Sequence, residues 1–80
     1  MIKIQVKLFA AARERVGTGS LVHECPAGTT VQDVAKRIFD TYPGLGDIKL
    51  QFAVNAVYAK PETSLRDGDQ VAFIPPVGGG

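Results

Sequence analysis

The chain has 80 residues, 45% of them apolar and 21% charged, a balance that fits one globular domain and leaves no room for two. Nine basic and eight acidic side chains are spread along it without a basic stripe, which argues against nucleic-acid binding. No apolar run approaches the roughly 20 residues that span a bilayer, the first residues lack a signal-peptide pattern, and the single cysteine cannot close an internal disulfide. Together these predict a cytoplasmic protein that meets no membrane. So small a core has little space for a deep internal site, so function is sought at the surface and at the ends.

From Ile2 to Leu8, apolar residues (Ile2, Ile4, Val6, Leu8) alternate with Lys3, Gln5 and Lys7, the period-two pattern of a strand with one buried face. Ala10 to Val16 lacks β-branched residues until its end and stops at Gly17, which predicts a short helical turn closed by a glycine C-cap. Ser20 to Cys25 reads as a second strand with Leu21, His23 and Cys25 on one side. Cys25, just before Pro26, fits a small buried hydrophobe. A catalytic thiol needs a nearby base, and His23 lies two residues along the same face, about 7 Å away, too far for direct proton transfer. His23 reads as a half-exposed strand residue, because a metal site needs more ligands than this chain supplies.

One helix is clearly written. Thr30 can cap its start and Asp33 places negative charge near the N-terminus, while Val31, Val34, Ala35, Ile38 and Phe39 recur as a single apolar stripe. Gln32, Lys36, Arg37 and Asp40 occupy the other face, and Pro43-Gly44 ends the helix. Leu50 to Val54 then reads as a strand, Asn55-Ala56 as a tight turn, and Val57 to Ala59 as a short returning strand. Pro61 to Ser64 is loop and Arg66-Asp67-Gly68-Asp69 is a turn. Gln70 to Ile74 forms the last strand, with Val71 and Phe73 inward, before Pro75-Pro76 stops ladder pairing. The order is β-β-α-β-β-β. One main helix packed on a mixed sheet is the α+β, ubiquitin-like β-grasp arrangement, with a domain over 1–74 and an extended, flexible Gly-Gly tail over 75–80.

The tail reads Pro75-Pro76-Val77-Gly78-Gly79-Gly80. Pro-Pro keeps the exit extended, and three residues without Cβ atoms can pass through a narrow channel. Six extended residues reach about 20 Å, so this segment can carry one group, the Gly80 carboxylate, well away from the last strand. A glycine-rich end taken alone is usually only a frayed terminus; following a β-grasp pattern it gains meaning.

The combination resembles the small subunit of molybdopterin synthase, the MoaD-type sulfur-carrier family, over nearly the whole length. The residues that carry the resemblance are Leu8-Phe9-Ala10-Ala11-Ala12-Arg13-Glu14, the Val54-Asn55 turn, and Leu65 through Gly80, read as L-R-D-G-D-Q-V-A-F-I-P-P-V-G-G-G. Gly79 and Gly80 match the family's terminal pair, and Gly78 stands where another small residue is common. The resemblance implies that a MoeB-type, ubiquitin-activating-like adenylyltransferase uses ATP to adenylate Gly80, and that a persulfide converts the adenylate into a thiocarboxylate. The carrier then docks on a MoaE-type large subunit and gives its sulfur to a cyclic pterin monophosphate. On this expectation the chain is no enzyme on its own and keeps no bound cofactor or metal; catalytic groups belong to the large subunit.

Strand parity suggests a second surface. Phe9 follows Lys7 on the face opposite the core, Ile74 points away from Phe73, and the two strands are central parallel neighbours in a β-grasp. Exposed apolar residues there suggest a docking patch of Phe9, Tyr58 and Ile74. With the tail residues Pro75, Pro76 and Val77 they form the expected partner interface. Alternatively, Phe9 merely closes the core at a strand end. The nearest rival function is the thiamine-pathway or another ubiquitin-like sulfur carrier, and a rival of a different class is a β-grasp interaction module with an inert tail. An enzyme in its own right is disfavoured, because no carboxylate pair or activated nucleophile stands out and Gly44-x-Gly46 is too short to cradle phosphate. A ferredoxin-type cluster needs four ligands, and there is one cysteine.

Overall fold

The alternation at the start of the chain becomes strand β1, Ile2–Leu8, with Ile4, Val6 and Leu8 buried. The computed structural model describes residues 1–75, Asp47 by its backbone alone. β1 pairs antiparallel with β2, Ser20–Cys25, so that Ile2 faces Cys25 and Lys7 faces Ser20. Between them Ala10–Val16 forms α1, a seven-residue helix where the sequence suggests only a turn. Gly17 closes it in the left-handed conformation, φ 92°, donating its N–H to the Arg13 carbonyl at 2.8 Å. Tertiary contacts extend this segment: Ala12 is fully buried, and the Arg15 guanidinium donates to the Gly44 carbonyl at 2.6 Å. So short a helix would not persist alone.

The main helix, α2, spans Val31–Thr41 and begins with a reciprocal cap. The Asp33 N–H donates to the Thr30 hydroxyl and the Thr30 N–H to the Asp33 carboxylate, both at 3.2 Å. Those bonds, the Thr30 N–H first, hold the Asp33 carboxyl below its usual range by favouring its charged form. The apolar stripe buries Val31, Val34, Ala35 and Ile38, and Phe39 meets Phe73 edge-on with ring centroids 6.2 Å apart. Pro43 does more than stop α2. It opens a 3₁₀ helix, Pro43–Asp47, that places Leu45 wholly inside the core.

Strands β3, Gln51–Val54, and β4, Val57–Tyr58, are each one residue shorter than the patterning suggests. Their turn is made by Asn55 and Ala56 at φ 51° and 70°, the paired left-handed conformations that match strand twist in a hairpin. Asn55 has a further role. Its amide donates to Asp69 Oδ1 and its carbonyl oxygen accepts the Gln70 N–H, both at 3.0 Å, fastening the hairpin to β5, Gln70–Ile74. β5 lies parallel to β1 and antiparallel to β3, giving the sheet order β2-β1-β5-β3-β4. Both helices and the 3₁₀ turn contribute to a single core with the inward side chains of β1 and β5. This is the expected β-grasp. Among the described residues no helix is long and apolar enough to cross a membrane.

Candidate functional site

Because strand side chains alternate, every residue that fills the core of this sheet has a neighbour on the opposite face. The pairing registers align Ser20, Lys7, Ala72, Ala53 and Tyr58 as one row across all five strands of that face. Two alanines at its centre leave a low floor. Ala53 is only 4% exposed yet stands outside the core cluster, so its cover comes from larger neighbours on the outer face. A groove of about 530 Å³ lies there, with Ala53 and Ala72 among its lining and Phe9, Tyr58, Ile74, Lys7 and Arg13 around them.

Phe9 is the cap residue that precedes α1, in extended backbone conformation. Its carbonyl accepts the Ala12 and Arg13 N–H groups at 3.0 and 3.4 Å, which holds the backbone while the side chain stays 48% exposed. Phe9 therefore does not close the core; Leu8 and Phe73, paired across β1 and β5, do that one residue earlier. Tyr58, on the edge strand beside Ala53, is 70% exposed. The structure thus brings Phe9, Tyr58 and Ile74 to one groove, three positions far apart in the chain. Pro75 follows directly and is buried. Pro76, Val77, Gly78, Gly79 and Gly80 lie outside the described residues.

The alanine floor and Arg13 are not marked as site residues by the sequence patterning, which places Lys7 on the outer face without a role. Parity could have found Ala72, since it separates the inward pair Val71 and Phe73. No local signal marks Ala53, which sits in the continuous apolar run Phe52-Ala53-Val54. Elsewhere, Cys25 is buried and His23 half-buried, and among the described residues no three His, Cys, Asp or Glu side chains group together. The groove offers shape, apolar surface and charge, properties suited to seating another protein's side chains.

Comparison with known proteins places this geometry among relatives. The ThiS family matches residues 6–80. A molybdopterin synthase sulfur carrier subunit from Mycobacterium tuberculosis is 42% identical over 83 aligned positions, covering 100% of both chains. The solved structure of a putative molybdopterin converting factor, subunit 1, from Pyrococcus furiosus superposes with a TM-score of 0.89 at 29% identity, covering 96% of this chain and 100% of that one. The small archaeal modifier protein 1 from Methanosarcina acetivorans superposes at 0.84 with 31% identity, covering 100% and 98%.

Proposed function

This chain belongs to the ThiS family, alongside molybdopterin synthase sulfur carrier subunits, and from that membership we propose that it carries sulfur on the Gly80 carboxyl group for molybdopterin synthesis in the cytoplasm. The observation that carries the proposal is where β5 ends. Ile74, its last residue, lines the open groove, so the described domain ends beside a surface suited to a partner. A protein that covers Phe9, Tyr58 and Ile74 is then positioned to receive the residues that follow, Pro76 and Val77 included, whereas Pro75, expected at the interface, is buried in the domain.

The chemistry divides between partners. A carboxylate is a poor electrophile, so a MoeB-type adenylyltransferase joins it to AMP from ATP, releasing pyrophosphate. The outer sulfur of a persulfide displaces AMP, and a thiol cleaves the resulting S–S bond to leave the thiocarboxylate at Gly80. A MoaE-type large subunit encloses that anionic sulfur, excludes water from it and aligns it with the pterin substrate. Once the sulfur has bonded to the pterin, water cleaves the acyl–sulfur bond, leaving sulfur on the pterin and restoring the carrier's carboxylate. This chain supplies the acyl group and the docking surface.

Two measurements test the proposal. Incubation with the activating enzyme, ATP and a sulfur source is expected to raise the intact mass by the difference between sulfur and oxygen; no gain under conditions that load a known carrier would refute the role. Phe9→Ala is expected to weaken binding to the large subunit about tenfold or more while barely moving the melting temperature, because Phe9 is half-exposed and adds nothing to the core. Lost stability with retained affinity would show instead that Phe9 serves the fold. The relation to an archaeal modifier protein supports one second reading, in which the activated carboxyl passes to an amine of another protein. Conjugates of higher mass, formed with ATP and activating enzyme but without sulfur, would favour it.

A further inference from the structure

One end of the groove carries positive charge that nothing in the described domain neutralises. Lys7, half-buried, stands in the central row next to Ala72, and Arg13 reaches the same groove from α1. No aspartate or glutamate among the described residues lines the groove. Among the described residues the one ion pair is Lys3–Glu24, which leaves Lys7 and Arg13 without a carboxylate partner. The Arg13 side chain passes over Gly19: a Cβ there would stand 3.4 Å from its Nε and 3.5 Å from its Cδ, ordinary contact distances.

We propose that the partner segment seated here is an acidic-apolar one, with a bulky apolar side chain over the Ala53–Ala72 floor and a carboxylate between Lys7 and Arg13. The floor and its flanks take the apolar anchor, since two alanines bordered by Phe9, Ile74 and Tyr58 form a depression with larger walls. The two cations then set orientation, because only one end of the groove attracts an anion. A lysine already half-removed from water interacts with an incoming carboxylate through a lower effective dielectric than a fully solvated one. The identity of that partner as the large synthase subunit rests on the sulfur-carrier reading; the chemistry of the segment rests on the groove.

The test is the binding kinetics of the full chain and the large synthase subunit, at low and at high salt, with Lys7→Gln, Arg13→Gln, the double variant and Arg13→Lys. The double variant is expected to associate about tenfold more slowly at low salt, with the difference shrinking at high salt as the wild-type interaction is screened. Arg13→Lys, which keeps the charge, is expected to retain most of the rate. Melting temperatures should hardly change, since neither side chain makes an ion pair inside the described domain. Wild-type rates and salt dependence in the double variant would overturn the inference alone, leaving the carrier reading intact if sulfur loading persists. An equal loss at low and high salt would also overturn it, by showing that packing rather than charge is used. A wild-type chain that neither binds the large subunit nor gains sulfur would remove the carrier reading and this inference together.

Discussion

Gly80→Val is expected to lower sulfur loading and transfer by more than about a hundredfold, with the thermal midpoint unchanged. A branched side chain beside the acyl carbon crowds the carbonyl that the persulfide must attack. It also widens the segment that has to enter the partner's cleft, and displacements of about 1 Å at a reacting centre cost on the order of a hundredfold in rate. Stability is spared because the core cluster is complete between Ile4 and Phe73. Intact-mass analysis after incubation with the activating enzyme, ATP and sulfur source reads the loading step. Single-turnover product formation on the large subunit reads the transfer step. If the valine variant loads and transfers normally, a side chain beside the acyl carbon is tolerated and the glycine requirement fails. If it loads but fails to transfer, the narrow passage belongs to the large subunit rather than to the activating enzyme.

Phe73→Ala is expected to destabilise the domain by about 3–5 kcal/mol, the usual range for emptying a buried aromatic site. Phe73 is completely buried, with Phe39 and Phe52 both edge-on to its ring, the latter with centroids 5.2 Å apart at 77°. Its neighbours come from a helix, from β1 and from β3, so no single element can shift to fill the space. Domains of this length hold together by about 4–12 kcal/mol in total, so the loss removes a large share. Urea denaturation measures it as a lower midpoint at unchanged slope. Docking falls too, because β5 presents Ala72 and Ile74 on the outer face only while Phe73 anchors the strand from within. A variant with wild-type stability would mean that the core closes over the cavity, against the close packing seen here.

Much of the fold was legible because its signals are local. The inward set Ile4, Val6 and Leu8 follows from simple alternation in a strand with one wet face. The start of α2 could be read from Thr30 and Asp33, three residues apart, because a cap needs only the neighbouring backbone to form. Asn55 marked its turn because few residues tolerate a left-handed backbone. Leu45 shows the limit. It is fully buried on a 3₁₀ turn that has no periodicity to reveal it, held where Arg15 of α1 bonds Gly44.

For the candidate site, the sequence by itself determined which residues alternate outward, namely Lys7, Ala72 and Ile74, and that a stiff proline pair precedes three glycines. Only the tertiary structure decided that Lys7 and Ala72 share a row with Ala53 and Tyr58, that Arg13 lies over Gly19, and that the groove has a positive end. The reason is physical. Alternation within a strand is set by the backbone of consecutive residues, whereas register between β1, β5, β3 and β4 is set by how inward side chains more than 60 positions apart, such as Val6 and Val71, fit one core.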